Sequence, residues 1–211
     1  MTIAKGQPWG EVVPRDPHQT VVSSDAALHR WVNEHLVPSP PSAGTDGSLI
    51  DERVTVAGGD LARTCGGGHP QRDTVSRVPL DLVLVRTDEV SCWMVSHALA
   101  RRSWWRGEVV LAMNAQFLGA SDVAPRSHPN DGRVDVLRVD PAMGVRTRLQ
   151  ARRRSRLGTH VPHPRIAVSQ TRSLHLDLVT PLRVSIDGLA YGTTRTVELT
   201  VVADAYIADI A

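Results

Sequence analysis

Residues 183–188 read Arg-Val-Ser-Ile-Asp-Gly. Val184 and Ile186 alternate with Arg183, Ser185 and Asp187, the two-residue period of a strand with one buried and one wet face. Asp187-Gly188 then supplies the commonest chemistry for reversing a strand in a tight turn. The same texture extends in both directions: VPLDLVLVR at 78–86, residues 92–95, EVVLAM at 108–113, and then 133–139, 165–169, 173–179 and 195–202. Turn signals separate these runs, namely Pro125, the His-Pro-Asn-Asp-Gly passage at 128–132, Pro141, Gly158, Pro162 to Pro164, Pro181 and Gly192. Strands of five to nine residues at this spacing predict an antiparallel sandwich or barrel. Only residues 142–156 have a helical texture in this half, and there is no internal repeat.

Upstream the pattern changes. Residues 1–19 are rich in proline, glycine and charge and read as an irregular arm. Thr20 to Val22 is a short strand candidate. Ser23 or Ser24 is an N-cap, Asp25 sits in a first turn, and Ala27, Leu28, Trp31, Val32 and Leu36 form an apolar stripe. This helix should end before Pro38, where PSPPSAGTDGS reads as a loop or linker. Val54 to Ala57 is a second strand candidate running into Gly58-Gly59-Asp60, and a helical turn, LART, precedes Cys65. Strand, helix, strand, glycine turn and helix make about one βαβ unit, too small to be stable alone. The predicted class is therefore α+β: a reduced α/β region over residues 1–72, and a mainly antiparallel β-sandwich over residues 73–211.

The chain has 211 residues, is 41% hydrophobic and 22% charged, and carries a formal charge of +2. No window approaches the roughly 20 apolar residues of a membrane span. The first residues lack the apolar stretch of a signal peptide, and two cysteines make no disulfide scaffold. A cytoplasmic protein with reduced thiols is expected. The charge is too small to indicate a nucleic-acid partner, and Lys5 is the only lysine. The densest basic run, Arg152, Arg153, Arg154 and Arg156, reads as a solvated face or as a site for an anionic partner.

Several motifs carry chemistry in principle. Gly58-Gly59-Asp60 follows a strand and opens a helix, where backbone N–H groups can approach a phosphate, although a structural tight turn accounts for it equally. It is neither a P-loop nor G-x-G-x-x-G. Asn130-Asp131-Gly132 is a hairpin signal that could also present oxygens to Mg²⁺ or Ca²⁺. His160 and His163 lie in GTHVPHP, but no second ligand pair stands at zinc spacing. No GxSxG occurs. Trp104-Trp105, flanked by arginines, reads either as a core corner with stacked cations or as a patch that meets a partner or a membrane.

Taken in order, GGDLARTCGG (58–67), GEVVLAMNAQFLG (107–119), DVAPRSHPNDGRVDVLRV (122–139), GTHVPHPRIAV (158–168) and LRVSIDG (182–188) resemble the bacterial diacylglycerol kinase and lipid kinase family, with its β-sandwich C-terminal domain. The resemblance implies that Asp187 deprotonates the acceptor hydroxyl. It implies that Asp131 belongs to a magnesium turn, and that Gly58, Gly59, Asp60 and Asn114 lie along an ATP-binding cleft. It implies a lipid or other anionic small molecule as ligand, with a second copy or partner chain as an assembly option. The departures bear on activity. The family's GGDGT phosphate loop is absent, Gly59 precedes Asp60 where the family has asparagine, and the family's late DGE is Asp187-Gly188-Leu189. The expectation is a lipid-kinase-like binding module with weak or no kinase activity and a truncated nucleotide-binding region. The alternative is an active ATP-dependent lipid kinase with Asp187 as general base.

Overall fold

Alternation along residues 74–87 sends Leu80, Leu82 and Leu84 into one apolar core and Val83 and Val85 into another. This strand is thus buried on both faces and contributes to both cores. The computed structural model describes residues 9–39, 48–68 and 73–211, so the predicted loop at 38–48 and the start of the arm lie partly outside the described residues. The elements are β1 (Glu11–Pro14), β2 (Thr20–Val22), α1 (Asp25–His35), β3 (Val54–Val56), α2 (Asp60–Thr64), β4 (Thr74–Thr87), β5 (Ser91–Met94), β6 (His97–Arg101), β7 (Val109–Met113), β8 (Phe117–Leu118), β9 (Ser121–Asp122), β10 (Val134–Val139), α3 (Val145–Ser155), β11 (Ile166–Thr171), β12 (Ser173–Ile186) and β13 (Leu189–Ile210).

The architecture is α+β, dominated by one large, mainly antiparallel, sandwich-like sheet. Along its main path the strands run β1-β4-β13-β12-β6-β7-β10-β11, with β2, β3 and β5 joined at the side. Val83, Val85, Val110, Ala112, Val134, Val136, Val184 and Ile186 meet in its interior. The opposite faces of β7 and β10 (Val109, Leu111, Met113 and Leu137) instead pack toward Met143 and Ile166 near α3. At the other end β3 pairs in parallel with both β2 and β13. There Leu28, Trp31 and Val32 of α1 and Leu61 of α2 pack with Trp93 and Tyr206. The apolar stripe of α1 thus buries as its spacing predicts, and the helix begins with the Ser24 hydroxyl accepting from the Ala27 N–H.

The strands are longer than the turn signals predict. Pro181 and Gly192 end nothing. Pro181 lies inside β12, where the pairing with β13 slips between Asp177 and Leu182. Gly192 lies inside β13 with φ +74°. A bulge absorbs an unsuitable residue without ending the ladder, so the 14-residue β12 stands where two strands, 173–179 and 183–187, were expected, and the 22-residue β13 extends the strand expected at 195–202. The helix expected at 142–156 forms as α3.

Candidate functional site

β12 and β13 turn at Asp187-Gly188 with φ of +50° and +85°, both in the left-handed region that a two-residue hairpin requires. That turn carries the Asp187 carboxylate against the segment between β5 and β6. Oδ1 accepts from the backbone N–H groups of Ser96 (2.8 Å) and His97 (2.9 Å), and Oδ2 accepts from Val95 N–H (2.9 Å). The Asp187 N–H in turn donates to the His97 carbonyl at 2.8 Å. His29 of α1 completes the set, with Nδ1 at 2.9 Å from Asp187 Oδ2 and Nε2 at 2.5 Å from the Tyr191 hydroxyl. An ionised Asp187 selects Nδ1–H as the donor and leaves Nε2 to accept from Tyr191. A carboxylate has about four acceptor positions; here four donors fill them, and Asp187 is 1% exposed.

Two strand–turn–helix corners stand beside this group, β2–α1 and β3–α2. The Asp25 carboxylate crosses from the first to the second and accepts from the N–H groups of Asp60 (2.8 Å) and Leu61 (3.1 Å). It thereby caps the start of α2, and a Cβ on Gly59 (φ +101°) would collide with Asp25 Oδ1. Gly58 has a similar reason to be glycine, since a Cβ there would meet the Ser23 carbonyl at 2.6 Å. Asp60 accepts from the Gly119 N–H at 2.8 Å. Asn114 is fully buried, and its amide donates to the carbonyls of Asp81 (3.2 Å) and Val95 (2.9 Å). Ligand atoms of Asp25, Asp60 and His97 lie within 4.8 Å of one another.

Asp131 is set apart from this group. Its Oδ1 accepts from the Arg133 N–H at 2.9 Å. Burial, reinforced by the charge of Asp135, pushes its carboxyl up to about 6. Next to it the Asn130 Oδ1 is buried without a hydrogen-bond partner. The Asn130 amide donates to Asp204 at 2.8 Å. Asp81, fully buried, accepts from Gly132 (2.7 Å) and Asp204 (2.9 Å).

Burial pushes the thiols of Cys65 and Cys92 up to about 12, so neither is a thiolate nucleophile at neutral pH. Asp25 is pushed up to about 6, first by burial and then by the charges of Asp187 and Asp60, against the lowering effect of its two backbone donors. A carboxyl raised in the folded state favours folding fully below its unfolded value near 3.9, and that contribution is lost as pH rises through about 6. The difference in urea midpoint between the wild-type chain and Asp25→Asn should therefore change between pH 4 and pH 6.5. The wild type loses on the order of 2 kcal/mol relative to the variant. A difference that stays flat across this range would contradict the burial of an ionisable Asp25.

His29, Asp25, Asp81 and Tyr191 were not singled out by the sequence. Ser24-Asp25 was legible as a helix start, but its span to α2 was not. His29 sits on the helix face that packs inward, and only the fold shows that its ring meets an aspartate rather than the apolar core.

An antiparallel sandwich whose hairpin aspartate meets a small parallel α/β corner defines a protein of the NAD-kinase-like β-sandwich class. The chain belongs to the family described as the YegS C-terminal NAD kinase beta sandwich-like domain, whose model matches residues 97–205. Solved structures share the fold at low identity. One provisionally assigned as a diacylglycerol kinase from Bacillus anthracis str. Sterne has a TM-score of 0.65 at 12% identity, covering 90% of this chain and 77% of that one. Another, a diacylglycerol kinase from the same organism, has a TM-score of 0.60 at 13% identity, covering 90% and 75%. No curated protein matches the chain.

Proposed function

We propose that this chain is a lipid-kinase-fold protein with weak or no phosphoryl transfer, acting as a binding module for a lipid or another anionic small molecule. The observation that carries the reading is the saturation of Asp187. A general base must offer a lone pair to the proton it removes, and three backbone N–H groups and His29 already occupy this carboxylate. Phosphoryl transfer also needs free N–H donors around the phosphates. The start of α2 is engaged by Asp25 and the start of α1 by Ser24. The Ser23-Ser24-Asp25-Ala26-Ala27 corner keeps the aspartate of a GGDGT loop in third position and none of its glycines. Gly58, Gly59, Asp60 and Asn114 accordingly fit ATP poorly, because the Asp60 N–H and the Asn114 amide are spent inside the protein.

Magnesium fits better than ATP. Asp131 and the unpartnered Asn130 Oδ1 are two hard oxygen donors of the kind Mg²⁺ takes. In this reading they would hold the ion, which would neutralise local charge and brace the turn.

The test is transfer of labelled phosphate from ATP to diacylglycerol in mixed micelles, by the purified chain and again in lysate, where a partner chain could supply a nucleotide site. Transfer at background in both preparations is expected. ATP-dependent transfer that disappears in Asp187→Asn, with folding of the variant checked by circular dichroism, would overturn the reading and assign Asp187 as the general base.

A further inference from the structure

A cavity of about 460 Å³ opens on the far side of the sandwich, lined by β7, β10 and α3. That volume falls within the range of small-molecule sites. Its walls are largely aliphatic, including Leu111, Leu137 and Ile166, and they belong to a core cluster separate from the one that surrounds Asp187. Three polar features depart from an ordinary apolar void. Arg152 and Arg156, both exposed, stand at the edge, and no carboxylate is among the lining residues. Trp105, 39% exposed, lies beside them with the Arg152 guanidinium 5.7 Å from its ring. His160 lines the cavity at 6% exposure, and neither ring nitrogen makes a hydrogen bond. Burial holds the imidazole below its usual range, against the opposing effects of the nearby Val123 backbone and the Asp122 charge.

A buried imidazole without a partner is costly, and buried polar groups are normally paired by protein, water or ligand. An apolar cavity edged by cations, with one free hydrogen-bonding ring inside, is complementary to a molecule with a long apolar body and one anionic end. A neutral diacylglycerol would leave the arginines without a counter-charge. We infer that this cavity binds a single-chain anionic amphiphile, a long-chain fatty carboxylate, with its chain among Leu111, Leu137 and Ile166 and its head group met by Arg152, Arg156 and His160. The inference names the ligand of the binding role proposed above and rests on that reading for its biological sense, but its chemistry does not involve Asp187 or ATP.

Dibrominated stearate is the probe, because bromine quenches nearby tryptophans and two of the five, Trp104 and Trp105, line the cavity while Trp31 and Trp93 lie in the other core. The full chain should show saturable quenching at about one equivalent, reversed by unlabelled stearate and not by octadecanol. The double variant Arg152→Gln/Arg156→Gln changes only exposed side chains and should weaken binding by about tenfold or more, the worth of roughly one charge-assisted contact. Ala151→Phe, which fills the cavity, should abolish quenching. Absence of saturable quenching, or quenching unchanged in both variants, overturns the inference. Quenching seen only with vesicles of brominated phosphatidylglycerol and never with monomeric dibrominated stearate also overturns it, in favour of a membrane-surface role for α3. Because the readout needs no ATP, kinase activity in the assay above would refute the earlier reading without touching this result.

Discussion

Asp187→Ala should unfold the chain at a markedly lower temperature. The substitution leaves the N–H groups of Val95, Ser96 and His97 and the His29 ring without their acceptor, in a place where the aspartate is 1% exposed. An orphaned buried donor costs about 1–3 kcal/mol. Non-additivity and some water entry reduce the sum, so a loss of about 4 kcal/mol is expected, or roughly 10 °C for a domain of this size. Asp187→Asn should fall between, since the amide oxygen still accepts from some of these donors while its NH₂ faces another donor. Thermal melts followed by circular dichroism measure this directly. The sign separates two roles: a poised catalytic carboxylate is commonly neutral or destabilising to the fold, whereas a tether between hairpin, α1 and the β5–β6 segment is strongly stabilising. A variant as stable as the wild type would refute the tether and reopen the case for a general base.

Arg148→Met should be the costliest arginine substitution in α3. Arg148 is 5% exposed, and its guanidinium donates to the carbonyls of Met143 (2.9 Å), Asp140 (2.9 Å), Gly107 (2.5 Å) and Trp104 (3.4 Å). It thereby ties the helix to the loop that carries the two tryptophans. Methionine fills much of the space but donates nothing, so several buried carbonyls lose partners at about 3 kcal/mol in total. Arg153→Gln, on the exposed face of the same helix, should change stability by no more than about 0.5 kcal/mol. Equal shifts in urea midpoint for the two variants would remove the distinction.

That contrast shows how the chain could and could not be read in advance. The basic run drew attention to Arg152, Arg153 and Arg154, which are exposed. Arg148, the buried one, is indistinguishable from them in sequence, because its partners lie on residues 104, 107, 140 and 143. Of these only Met143 and Asp140 are local. Trp104-Trp105 divides between its two readings: Arg101 sits 4.6 Å from the Trp104 ring, while Trp105 remains open to solvent beside Arg152.

The sequence by itself determined what depends on near neighbours. Alternation in residues 183–187 and 78–86 specified strands, Asp187-Gly188 specified the hairpin, Ser23 or Ser24 the start of α1, and the glycine turn after Val54–Val56 the short α2. Each follows from a period of 2 or 3.6 residues or from backbone freedom at one position, so a few consecutive residues suffice. The tertiary structure decided what each polar group meets. His29 and Asp187 are 158 residues apart, Asp25 and Asp60 are 35 apart, and the parallel pairing of β3 with β13 sets residues 54–56 beside residues 208–210 in one sheet. Pairing at such separations is selected by the global packing of apolar faces, which carries polar side chains along with it. The same aspartate that sequence alone presents as a turn former or a base therefore becomes, in the folded chain, an acceptor with every position filled.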